Sequence, residues 1–124
     1  VEVNRIFDYI IDFHAFYGEQ GREIQGTACI SYAFCLLNAE QAMDVTLVLN
    51  GDDGVKLWLN GELLAAHREF SSLDATTWKI PAHLNKGANR LLVKVEEGGK
   101  GMHVFQAKVL DAKGKPAAGV EVSL

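Results

Sequence analysis

Residues 51–64 read Gly51-Asp52-Asp53-Gly54-Val55-Lys56-Leu57-Trp58-Leu59-Asn60-Gly61-Glu62-Leu63-Leu64, two turns set around one strand with two carboxylates side by side. Asn-Gly most readily supplies positive φ at both central positions of a type I′ turn, so Asn60-Gly61 predicts a tight hairpin between residues 55–59 and 62–66. Asn50-Gly51-Asp52-Asp53-Gly54 is also turn-like and separates residues 45–49 from 55–59. Together these turns predict a three-strand antiparallel meander with an acidic tip. Val45, Leu47 and Leu49 alternate with Thr46, Val48 and Asn50, as Val55, Leu57 and Leu59 do with Lys56, Trp58 and Asn60. That period of two buries one aliphatic face and puts Trp58 on the other.

The remaining punctuation extends the β pattern. Residues 27–37 read as a long buried strand, 38–41 as a turn, and 67–77 as a polar connection. Residues 78–81 predict a short edge strand, because Pro81 cannot donate to an inner ladder. Residues 90–96 and 102–110 predict a strand pair joined by Glu97-Gly98-Gly99-Lys100-Gly101, and residues 119–124 a last strand after the turn at 111–116. Residues 5–16 are compatible with an irregular extended segment or a short helix, and 17–21 with a loop. About eight short strands at regular spacing favour an all-β fold with little helix, a two-sheet antiparallel β-sandwich.

Composition limits the function classes. The 124 residues form one domain, 1–124, large enough to bury a core without metal or disulfide staples. A net charge of −4 argues against a nucleic-acid backbone or an anionic membrane surface as partner. No apolar run approaches the ~18 residues of a membrane span. Val1-Glu2-Val3-Asn4-Arg5 has neither an initiator Met nor the features of a signal peptide, so the chain reads as a processed protein or a domain excised from a larger one. Cys29 and Cys35, six apart in a β-like segment, have Cα atoms roughly 20 Å apart, beyond disulfide reach. Two buried thiols are expected, and no His sits near either at zinc-ligand spacing.

The run Gly51–Gly61, then Leu84-Asn85-Lys86-Gly87-Ala88-Asn89-Arg90-Leu91-Leu92-Val93-Lys94-Val95, then a Gly-rich turn leading to Asp111-Ala112-Lys113-Gly114, resembles the galactose-binding-like jelly-roll domains. Such domains accompany secreted bacterial glycoside hydrolases, lyases and esterases, and the resemblance covers roughly residue 27 to the C-terminus. The shorter Asp-Asp-Gly strand is similar to the protective-antigen-type carbohydrate-recognition domain, in some adhesin members of which adjacent aspartates hold calcium and touch a sugar. Only Asp52 and Asp53 match that second pattern. The resemblance implies a jelly roll, a carbohydrate ligand and a secreted or cell-surface location.

Calcium takes six to eight oxygen ligands, and Asp52 and Asp53 in a Gly-flanked turn offer two carboxylates plus backbone oxygens. Capping of their own turn explains the same two residues. A metal here would be structural, a brace for the loops. A sugar site needs an aromatic platform flanked by planar polar groups, and Trp58, Trp78, Tyr17, His67, Arg68 and Asp53 supply those types. Packing of either tryptophan between sheet and loops is the competing explanation.

No catalytic constellation is apparent. His14, His67, His83 and His103 are scattered, there is no nucleophile elbow, and neither Asp52-Asp53 nor Glu96-Glu97 has the spacing of paired glycosidase carboxylates. The expected function is a non-catalytic module that carries a neighbouring catalytic domain to a polysaccharide. The alternative is a structural or protein-interaction sandwich in which Trp58 and the 67–77 connection dock on another domain and no glycan binds.

Overall fold

The computed structural model describes residues 5–6, 10–19, 28–68, 77–98 and 103–124. Most of the described residues are strand, with one short helix, in two antiparallel sheets packed as the all-β sandwich that the alternation and turns imply. The elements are β1 (Arg5–Ile6), β2 (Ile10–Asp12), α1 (Phe13–Glu19), β3 (Cys29–Ala39), β4 (Met43–Gly51), β5 (Gly54–Leu59), β6 (Glu62–His67), β7 (Trp78–Leu84), β8 (Gly87–Glu97), β9 (Val104–Leu110) and β10 (Val120–Ser123). One sheet runs β1-β2-β9-β4-β7 and the other β10-β3-β8-β5-β6. From β2 onward every connection changes sheet except β5 to β6, which is jelly-roll order.

The core is what the alternation demands. Val45, Leu47 and Leu49 face Val55, Leu57 and Leu59 and the Leu91, Val93, Val95 row of β8, all buried. Asn60 and Gly61 take φ of 52° and 86°, the conformation expected of the Asn-Gly hairpin, and β7 with Pro81 is an edge strand. Asp12 accepts a hydrogen bond from Ala15 N (3.1 Å) and so starts α1, whose Phe13, Phe16 and Tyr17 share one face at i, i+3 and i+4.

Four expectations need correction. Residues 45–49, 55–59 and 62–66 are not a meander: β4 pairs with β7 and β9, whereas β5 pairs with β6 and β8. Gly51 to Gly54 is therefore a corner between sheets, which lets the aliphatic faces of β4 and β5 oppose each other across the core. Likewise β8 and β9 lie in different sheets and do not pair, and residues 99–102 between them fall outside the described residues. Tyr17 to Glu19 are helical, because Phe13 and Tyr17 dock that turn on the core. Cys29 and Cys35 both lie on β3 as thiols, but each is half-buried, because Cys29 is at the start of the strand and Cys35 lines an open space between the sheets.

Neighbours crowd both corner glycines, Gly51 most tightly. A Cβ on Gly51 would lie 2.4 Å from Val55 Cγ1, and one on Gly54 would lie 3.3 Å from Glu96 Oε2 and from the His67 carbonyl oxygen. Gly51→Ala must displace a fully buried valine, so a loss of about 1–3 kcal/mol is expected in urea denaturation. An unchanged midpoint would contradict the corner geometry.

Candidate functional site

At the inter-sheet corner the two aspartates continue both ladders. Asp52 N donates to Val104 O of β9 (3.0 Å) and Asp53 N to Glu96 O of β8 (3.1 Å). The peptide between them is cis. Asp53 Oδ2 accepts from Gly98 N (2.8 Å), which ties the corner to the end of β8. Because Gly54 registers with Glu96 on the adjacent strand, Glu97 comes level with the pair. One carboxylate oxygen each from Asp52, Asp53 and Glu97 lies within 4.8 Å of the others. Asp52 and Glu97 are buried, at 8% and 4% exposure. The donors are all hard oxygens, a set that suits calcium or magnesium and no softer metal. Three like charges at this separation repel, and a divalent cation offsets that repulsion.

Beside the corner, β6 ends at His67 and β7 begins at Trp78, the edge strands of the two sheets. Their rings stack with centroids 4.2 Å apart and planes 6° from parallel. One face of Trp78 is thereby covered, and the ring also packs against the core. Thr77 Oγ1 accepts from Asn50 Nδ2 (3.2 Å), linking the start of β7 to the end of β4. Arg68 is exposed and close enough to Glu96 for its charge to be felt there. The Lys94 ammonium, 2.5 Å from Glu96 Oε1, is the main reason that carboxyl titrates below its ordinary range; partial burial opposes it, and Arg68 and Lys56 add to it.

The expected site residues therefore divide. Asp52, Asp53, His67, Arg68 and Trp78 gather at one end of the sandwich, joined by Glu97. Trp58 does not join them: it lies on the outer face of its sheet, five residues up β5 from Asp53, roughly 17 Å along the strand. Its cross-strand neighbours are Leu92 and Leu63, and Leu92 in turn opposes Phe34. Phe34 and Leu63 are about half exposed, at 48% and 49%. Phe34, Leu92, Trp58 and Leu63 thus form an apolar row across four strands. Tyr17 is half-buried in α1, its ring against Phe13 and Phe16.

A Cys-His pair was not legible in the sequence. His103, wholly buried, lies with Nδ1 3.1 Å from Cys29 Sγ and Nε2 3.4 Å from Val95 O. A carbonyl only accepts, so Nε2 carries the proton and the thiol donates to Nδ1. Burial lowers the imidazole pKa below its usual value, and the nearby His14 adds to this, while the Val95 bond and the charges of Asp12 and Asp53 oppose it. Burial, then the Glu97 charge, raises the thiol. Both shifts favour the neutral forms, whereas a nucleophilic cysteine requires the thiolate.

No protein-family model, curated protein or solved structure matches this chain. Glu97 and His103 escaped sequence reasoning because each reaches its site through strand register. Pairing β5 with β8 would have brought Glu97 to the aspartates, and nothing local signals that pairing.

Proposed function

We propose that this domain is a non-catalytic carbohydrate-binding module that works beside a catalytic domain in a secreted or cell-surface protein. The reading is supported chiefly by the gathering of Asp52, Asp53 and Glu97 beside Arg68 and the stacked His67–Trp78 pair at one end of the sandwich. Calcium held by the three carboxylates would brace the corner and leave coordination positions for vicinal sugar hydroxyls. Arg68 and His67 supply hydrogen-bond donors at the rim. A small wet site of this kind binds weakly, on the order of 0.01–1 mM, so retention on a polysaccharide depends on a second contact elsewhere in the parent protein.

Calcium is expected to raise the melting temperature. At 100 times its dissociation constant, a ligand of the native state adds about 2.7 kcal/mol, on the order of 10 °C for a domain of this size. Asp52→Asn should remove that increment. Equal melting curves in calcium and in chelator would return the aspartates to turn capping. A glycan array on the isolated domain, run with calcium and with chelator, tests the function itself: calcium-dependent signals lost in Asp52→Asn but kept in Trp58→Ala are the expected result.

A second reading is favoured by the exposed apolar row through Trp58. A row of aliphatic and aromatic side chains without polar partners among the described residues suits docking against a neighbouring protein domain better than cradling a sugar. On that reading the array stays blank, and Trp58→Ala weakens association with the rest of the parent protein.

A further inference from the structure

The space between the two sheets is not filled throughout. A cavity of about 490 Å³ lies between the inner faces of β3 and β9, bounded also by Leu57, Val93 and Leu47. A second space of about 350 Å³ adjoins it beneath α1, sharing Ala33, Phe34 and Leu124. Each is within the range of about 300–1,000 Å³ typical of small-molecule sites. Because they meet at these shared residues, the two spaces together extend from the region under α1 toward the inner face of β9.

Its chemistry selects the occupant. The side chains that the inward alternation of β3, β8 and β9 sends into it are hydrocarbon, together with the Cys35 thiol. The polar side chains that line it, Lys108 and Ser123, are too few to match the hydroxyls of a sugar or to hold a filling of water. Ala33 and Ala107, on facing sheets, leave space between the walls that larger side chains would fill. The mouth is marked by Val122 and Leu124, which are 56% and 65% exposed. A slot of this extent, walled mostly by hydrocarbon and open at one side, accommodates a linear chain whose polar end stays in water.

We infer that the slot between the sheets binds a single linear acyl chain. The site is separate from the corner carboxylates and is independent of whether a glycan binds there. Acyl chains reach a protein either as free fatty acids or attached to a peptide, and both share the hydrocarbon recognised here.

The test uses cis-parinaric acid, a linear polyene fatty acid that fluoresces when its chain leaves water. Saturable binding at one probe per domain is expected, with displacement by palmitic acid, by a palmitoylated peptide, or by both, which identifies the source. Ala107→Phe and Ala33→Leu each fill the slot and should weaken binding at least tenfold without lowering the melting temperature. If either variant fails to fold, methyl NMR of the unaltered domain locates the chain: the Ala33, Ala107 and Val93 methyls should shift while those of Leu63 and Leu92 do not. Absence of saturable binding overturns the inference. So does undiminished binding by a folded Ala107→Phe protein, or shifts confined to the outer row. A dimer in sedimentation whose copies close the slot against the probe overturns it as well.

Discussion

Asn89→Ala is expected to cost about 3–5 kcal/mol of folding stability. Asn89 is wholly buried and its carboxamide joins three separate pieces of chain. Nδ2 donates to Leu37 O (3.2 Å), Asn85 O (2.8 Å) and Gly87 O (3.1 Å), and Oδ1 accepts from Asn85 N (2.9 Å) and Asn60 Nδ2 (2.9 Å). The same residue thus fixes the turn before β8, the end of β3 and the Asn60-Gly61 hairpin. Alanine removes both halves of this network and leaves buried carbonyls without a donor. Asn89→Asp is informative beside it, because aspartate keeps the acceptor but turns a second oxygen toward three carbonyls; it should destabilise nearly as much. Urea denaturation of both variants provides the measurement. A loss below about 1 kcal/mol for Asn89→Ala would mean that the turn is held by its backbone alone.

The network also marks where sequence reasoning stops. Local chemistry identified the Asn60-Gly61 hairpin, the inward sets on β4 and β5, and the edge position of Pro81, because each depends on residues within a few places of one another. The sheet to which a strand belongs is a different question. Alternation tells which face of β4 is buried, but the same face is buried whether β5 pairs beside it or packs opposite it. Asn50-Gly51-Asp52-Asp53-Gly54 suits a hairpin and an inter-sheet corner alike, and the corner is distinguished by the Gly51–Val55 approach, a tertiary contact. Site legibility follows the same division. Asp52 and Asp53 are local and were identified, whereas Glu97 is brought in by the β5–β8 ladder, and Cys29 meets His103 from 74 residues away. Trp58 was placed on the correct face by alternation, yet the position of that face relative to the corner follows only from the way the chain divides between the sheets.

Folding stability is expected to fall on both sides of a neutral plateau, with the Cys29–His103 pair setting the inner edges of the two limbs. In the unfolded chain His103 titrates near 6.5, and in the fold its pKa lies lower. Below 6.5 the unfolded state therefore binds more protons than the native state, and stability declines as pH falls toward the folded value. The slope approaches but does not exceed about 1.4 kcal/mol per pH unit. The Cys29 thiol has the opposite sign: its folded pKa lies above 9.0, so above that pH the unfolded chain ionises first and stability falls as pH rises. Glu96 acts in a third window, since its folded pKa lies below 4.5 and its Lys94 contact is lost only as pH falls beneath that. Urea midpoints from about pH 3 to 10 should thus show a slope on the acid side already at about pH 5–6, where carboxylates of ordinary pKa contribute little. His103→Gln, which retains a donor for Val95 O, should flatten that slope and leave the loss below 4.5 in place. Equal midpoints at pH 5 and pH 7 in the unaltered protein would show that the imidazole charges in the fold as easily as in water, contrary to its burial between Phe13, Cys29 and Val95.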